Sequence, residues 1–331
     1  MRAALGCLLG LLGCSGAPDV VARVHDDYDP NRPPTTLALS GDLFAHDPSV
    51  IEANGKVYLF YTGAGIRTKV SDDFVSYRAG PSVFDANPAW IAERVPDATD
   101  LWSPDIAYFG GEYHLYYAAS TFASRRSCIG HATSSSLGER IAFRDRGPVI
   151  CSNTGTTADD FNAIDPNLIL DGDKPYLAFG SFSGGLKLVA LDAAGERPVG
   201  ELIPIAARSS DNPAVQAAYV SARAGYYYLF SSFDLCCDGA NSSHRLMVGR
   251  SSALAGPYVD RAGKALLDGG GSLVLESNER WRGPGSNSVL YRAGKAYNVY
   301  HAYDADNDGA ATLRIGELAW DAVGWPISGG P

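Results

Sequence analysis

The sequence lacks an excess of basic charge, an apolar run long enough to cross a bilayer, and any stretch of sustained helical periodicity. Lys and Arg number 27 against 37 Asp and Glu, a formal net charge of −10. Nucleic-acid binding needs a basic face for the phosphates, so that class is excluded. The longest apolar segment, at the N-terminus, runs about 11 residues, whereas a membrane helix needs about 20. No window holds a 3.6-residue apolar period over three turns, which argues against a helical core. Nucleotide loops are missing too: Gly283-Pro284-Gly285 and Gly269-Gly270-Gly271 lack a strand-to-helix setting. Asp304-Ala305-Asp306-Asn307-Asp308-Gly309 opens like a calcium loop, but its twelfth position is Ile315, where an EF-hand needs a bidentate Glu. It reads as a hairpin turn.

What is present is a globular composition, 46% hydrophobic and 19% charged, with 37 Gly and 19 Pro to punctuate short elements. The 331 residues predict two domains or one large all-β domain. Residues 1–13 carry one early positive charge, a short apolar stretch and small residues before Cys14, the pattern of an export leader. Leu11-Leu12-Gly13-Cys14 resembles a bacterial lipobox, which implies lipidation of Cys14 and a cell-envelope lipoprotein; simple secretion is the alternative. Residues 14–39, rich in Asp and Pro, read as a tether, and 40–331 as the folded domain. Export implies an oxidising setting for Cys128, Cys151, Cys236 and Cys237, all four read as structural. Cys128 and Cys151 flank an expected hairpin and can pair. A Cys236–Cys237 bond would be strained, because neighbouring Cα atoms lie about 3.8 Å apart and disulfides usually need about 4.4 Å. Neither pair has zinc spacing.

One pattern recurs, a glycine followed by an alternating aromatic strand. It begins at Gly55, Gly111, Gly172, Gly225 and Gly294, at intervals of about 53 to 69 residues, room for four short strands each. Five four-stranded units predict an all-β fold, a five-bladed β-propeller. Before each glycine sits a short segment expected to form the innermost strand. Counting back from it, Asp47, Asp165, Gln216 and Ser286 lie 8, 7, 9 and 8 residues upstream. Equivalent positions in a propeller converge on one mouth of the channel, so these polar residues are expected to ring it. For a single Asp-Pro pair a simple turn is the commoner reading, but recurrence in register favours a site.

His46-Asp47-Pro48-Ser49, Leu101-Trp102-Ser103-Pro104-Asp105-Ile106 and Asn162-Ala163-Ile164-Asp165-Pro166-Asn167 resemble motifs of the family 43 glycoside hydrolases, and within them the endo-1,5-α-L-arabinanases. Gly180-Ser181-Phe182, Ser232-Phe233-Asp234-Leu235-Cys236-Cys237-Asp238-Gly239 and Tyr300-His301-Ala302-Tyr303-Asp304 extend the resemblance in family order. It implies hydrolysis of α-1,5-linked arabinan with inversion, one carboxylate activating water and one carboxylic acid protonating the departing oxygen. It gives Asp47 the role of general base and Asp165 that of orienting the acid and raising its pKa. It places Trp102, Phe122, Ile164 and Phe182 as apolar faces for the sugar, with Asn162 and Ser181 on its hydroxyls. For Trp102 a core position is the competing reading.

Three departures qualify that expectation. Gln216 stands where the family carries the acid glutamate, Ala218 where it carries proline, and Ser286 where a histidine helps to hold a channel cation. An amide cannot donate a proton as an acid, and loss of general acid catalysis costs about 10²–10⁴-fold. Two readings therefore stand: a weakened arabinan hydrolase, or a non-catalytic propeller that binds arabinan-type oligosaccharides. No cofactor is required, channel Ca²⁺ is doubtful, and the expected partner is an arabino-oligosaccharide bound by a monomer.

Overall fold

The computed structural model describes residues 28–138, 141–155, 159–209 and 211–331. The expected leader, Cys14 and the first part of the tether lie outside these residues. Five antiparallel sheets follow one another along the chain. Blade one comprises Ser49–Ala53, Lys56–Tyr61, Arg67–Ser71 and Ser76–Ala79, with Ser40–Gly41 added in parallel on its outer edge. Blade two starts at Leu101–Phe109 and ends at Arg144–Ser152; blade three runs from Asn167–Asp171 to Ile203–Ala206. Blade four starts at Val215–Arg223 and blade five at Trp281–Arg292. The expected five-bladed propeller is the fold.

The repeated glycine has a backbone cause. In blades one, two, four and five the first hairpin turns on two consecutive residues of positive φ, as at Asn54 (52°) and Gly55 (72°). That is the type I′ turn whose twist matches a two-residue hairpin, and its second position favours glycine. The aromatic alternation that follows serves two cores at once. Val57, Leu59 and Tyr61 pack against Leu290, Val299, Leu313 and Ile315 of blade five, while Tyr58 and Phe60 face Leu101, Leu115 and Tyr117 of blade two. With period 2, each strand feeds the interface on either side. Apolar burial between blades then closes the ring.

Closure itself uses the N-terminal strap. Leu37 donates its N–H to Ile315 O, Leu313 to Leu43 O and Ala45 to Ala311 O, so residues 36–45 run beside the third strand of blade five. The stretch expected as tether thus already belongs to the ring at Tyr28–Leu39, where Tyr28 N–H bonds Trp320 O. Cys128 and Cys151 sit opposite one another in adjacent strands and form a disulfide.

A polar relay staples neighbouring blades around the channel. Ser49 Oγ accepts from Ile106 N (3.1 Å), Asp105 Oδ2 from Leu168 N (2.7 Å) and Asn167 Oδ1 from Val220 N (2.8 Å). Tyr219 OH then donates to Val289 O (3.2 Å) and Ser288 Oγ to Pro48 O (3.2 Å), which completes the circle. These five residues hold the same place in the five innermost strands, each ending in a bond to the next blade. Two residues before each lies a backbone kink, described next.

Candidate functional site

In each blade the residue two before the relay position has a left-handed backbone: Asp47 (51°), Ser103 (43°), Asp165 (56°), Ala217 (54°) and Ser286 (49°). Such φ values are uncommon outside glycine and mark functional or turn positions. The kink turns the chain at the channel mouth, and four of the five residues are polar. The true five-fold set therefore contains Ser103 and Ala217. Gln216 lies one residue earlier, equivalent to His46, Trp102, Ile164 and Gly285, so it does not belong to the same ring as Asp47, Asp165 and Ser286. Gln216 counts nine to its glycine, but Asp165 counts seven and still belongs to the ring, so the count alone does not reveal the offset; Ser103 was readable as eight residues before Gly111.

At this mouth opens a cavity of about 650 Å³, in the size range of small-ligand sites. Its wall contains Asp47, Trp102, Phe122, Asn162, Ile164, Asp165, Ser181, Phe182, Gln216 and Ser286. All ten candidate residues of the folded domain thus meet in one place, and Trp102 lines the cavity in preference to the core. Phe122 is 77% exposed and Leu235 58% exposed, two apolar lips at the cavity's opening.

Asp47 is held ionised. Its Oδ2 takes hydrogen bonds from His46 Nδ1 (2.7 Å) and Thr62 Oγ1 (2.8 Å). Burial alone would raise its pKa, but the charge and hydrogen bond of His46, with a further bond from Ser286, hold it well below the carboxylate range. His46 is pushed upward by the same pairing against its own desolvation, and its Nε2 bonds Tyr303 OH (2.7 Å). Asp165 is the opposite case. Burial first, then the Asp47 charge, push its carboxyl up to about 7, against hydrogen bonds from Ser103 Oγ (2.7 Å) and Ala217 N (3.2 Å) and the charge of His46. Two carboxyl groups with opposed pKa values share one cavity.

Gln216 is buried and its amide is engaged at both ends. Oε1 accepts from Ser181 Oγ (3.0 Å) and Nε2 meets His244 Nε2 (2.6 Å). Burial pushes His244 down to about 4, so a neutral ring accepts the amide proton. Nothing in the sequence marked His244, which enters from the loop just before the strand Arg245–Ser251 of the same blade.

Cys236 and Cys237 form a disulfide with Cα atoms 3.8 Å apart, although the spacing argued against it. They also line the cavity, which a purely structural reading missed. The Cys237 N–H bonds Tyr303 OH (3.0 Å), connecting this loop to His46. Asp234, gripped by Arg208 (2.8 Å) and Arg245 (2.7 Å), anchors the loop.

The donors do not suit calcium, which takes six to eight oxygens. The Asp47 oxygens face His46, Thr62 and Ser286, and the Asp105 oxygens face Ser49, Asn167 and the Leu168 N–H. His46, Asp47 and His301 cluster tightly. However, both His46 nitrogens are bonded, and His301 Nδ1 accepts the Asp47 N–H (3.1 Å). The Asp304–Gly309 segment is a hairpin turn, with Gly309 N–H on Asp304 O.

The sequence profile described as glycosyl hydrolases family 43 matches residues 41–326. An extracellular endo-α-(1→5)-L-arabinanase of Bacillus subtilis (strain 168) is 40% identical over 287 residues, covering 85% of this chain and 86% of its own. An extracellular exo-α-(1→5)-L-arabinofuranosidase of Cellvibrio japonicus (strain Ueda107) is 37% identical, with 85% of each chain covered. A Cellvibrio cellulosa α-L-arabinanase solved with arabinohexaose superposes with a TM-score of 0.82 at 36% identity, covering 86% of this chain and 95% of its own.

Proposed function

The chain belongs to family 43 of the glycosyl hydrolases, and on that premise we propose that it is an exported hydrolase that cleaves α-1,5-linked arabinan with inversion, weakened by Gln216. Asp47 is the general base of this reading: ionised across the neutral range, it takes a proton from the water that attacks the anomeric carbon. Trp102, Phe122, Ile164 and Phe182 offer apolar faces to the sugar rings, and Asn162 and Ser181 meet its hydroxyls. An arabino-oligosaccharide is the substrate of this reading, and relatives described as an endo-α-(1→5)-L-arabinanase and an exo-α-(1→5)-L-arabinofuranosidase support it. Gln216 stands at the acid position and donates no catalytic proton, so turnover is lower by about 10²–10⁴-fold. The observation that carries the reading is the anchored, ionised Asp47 sharing one cavity with Asp165, whose carboxyl is raised to about 7.

The work needs no metal in this reading, with Ser286 bonded to Asp47 instead of a cation. The protein acts as an exported monomer, attached to the envelope through lipidated Cys14 at the end of its tether, or secreted if the leader is cut elsewhere. Mass spectrometry of the mature N-terminus decides: an unmodified first residue other than Cys14 removes the anchor. The second reading, a binding propeller, draws on one observation, the fully engaged amide of Gln216. Incubation with linear arabino-oligosaccharides, beside calorimetric titration, separates the two. Shortened products support the hydrolase; binding with no cleavage by either wild type or Gln216→Glu leaves only the binder.

A further inference from the structure

Among the described residues, the cavity contains few groups able to supply a proton. Its titratable side chains, apart from the disulfide, are His46, Asp47, Arg125 and Asp165. His46 is occupied at both nitrogens, by Asp47 and Tyr303. Arg125 does not give up its proton in proteins. Asp47 is held as the anion by three donors. His244 lies behind Gln216, fully buried and outside the cavity wall. One carboxyl remains, and it is next to the missing acid: Asp165 Oδ2 accepts the N–H of Ala217, the residue that follows Gln216. Its backbone kink points it into the mouth, and Ser103 Oγ fixes the other oxygen at 2.7 Å.

From this placement we propose that Asp165 is itself the proton donor of this chain, a catalytic residue in place of an orienter for an acid that is absent. The inference rests on the hydrolase reading above. In the step, water oxygen bonds to the anomeric carbon while Asp47 takes one of its protons. The bond from that carbon to the departing sugar oxygen breaks, and the carboxyl proton of Asp165 moves to that oxygen. Asp47 ends protonated and Asp165 ionised, and one proton exchanged through solvent restores both. The groups facing Asp165 raise its carboxyl to about 7: burial first and then the Asp47 charge disfavour the anion, and Ser103, the Ala217 N–H and His46, which favour it, are outweighed.

The test compares Asp165→Asn with wild type on two substrates, a linear arabino-oligosaccharide and a 2,4-dinitrophenyl α-L-arabinofuranoside whose leaving group departs without a proton. If Asp165 donates the proton, kcat on the oligosaccharide falls at least 100-fold and kcat on the aryl substrate falls less than 10-fold. The fall of kcat/KM for the oligosaccharide on the alkaline side, centred near 7 in wild type, is absent for the aryl substrate. Equal losses on both substrates, or an oligosaccharide profile flat through neutral pH, overturn the proposal and return Asp165 to a positioning role. A folded wild type inert on both substrates overturns the hydrolase reading itself, a different result. Asp165→Glu, which keeps the carboxyl, restores part of the oligosaccharide rate if the acid function is real.

Discussion

Replacing Gln216 by Glu adds a carboxyl group with almost no change of volume. The side chain is buried between Ser181 Oγ (3.0 Å) and His244 Nε2 (2.6 Å), so a carboxyl fits the same cradle without a cavity or clash. Its Oε1 keeps the Ser181 proton, and its second oxygen, which bears the acid proton, donates to the neutral Nε2 of His244. Burial and the nearby carboxyls raise the pKa of the new Glu above its usual value of about 4.3, which keeps it protonated near neutrality. A general acid contributes about 10²–10⁴-fold, equivalent to about 2.7–5.4 kcal/mol off the barrier. The assay is kcat on linear arabino-oligosaccharides, with the dinitrophenyl arabinofuranoside as a control that needs no acid. We expect a gain on the first, short of that full factor because Asp165 already donates a proton, and less than tenfold change on the second. A folded Gln216→Glu protein with wild-type kcat on the oligosaccharide refutes the assignment of position 216 as the vacant acid.

Asp47→Asn, which tolerates the left-handed backbone better than Ala, should lower kcat by about 10²–10⁴-fold on both substrate types while circular dichroism stays unchanged; an active variant removes Asp47 as base. Phe122→Ala should raise KM several-fold, about 1 kcal/mol, with kcat and melting temperature unaffected; a large fall in stability would show that Phe122 packs instead of binding. Burial pushes Asp105 up to about 7 against bonds from Leu168, Ser49 and Asn167. A raised folded pKa adds stability that is whole below about 4 and lost as pH climbs through about 7, at most about 4 kcal/mol for this shift. Thermal melts from pH 5 to 8 should therefore show a decline in wild type that Asp105→Asn reduces; parallel curves for the two proteins contradict this. Asp234→Ala frees Arg208 and Arg245 and should loosen the disulfide loop, with KM rising more than kcat falls; unchanged kinetics would separate that loop from the site.

The propeller was legible because its cause is local. A type I′ turn needs positive φ, so glycine recurs, and two-sided strands need apolar residues at every position. The mouth residues were legible through their motifs and their distance from each glycine. The mixed register was not resolved by counting alone: Gln216 and Asp165 look alike as polar residues near the same glycine offset, and only the kinked backbone separates their rings. His244 carries no pattern, because a single histidine just before a strand of blade four becomes significant only when folding brings it within 2.6 Å of Gln216. The Cys236–Cys237 bond was misjudged from ordinary disulfide spacing. The part of the strap at 36–39 read as tether because its composition is loop-like, while its role comes from backbone bonds to blade five, to which composition is blind.

Proton NMR of a concentrated wild-type sample mixed with linear 1,5-arabino-oligosaccharide follows both cleavage and the anomer first released. We expect slow cleavage in which the β-anomer appears before mutarotation mixes the two. An α-anomer appearing first would contradict inversion, and an uncleaved oligosaccharide that nonetheless shows binding would contradict the hydrolase.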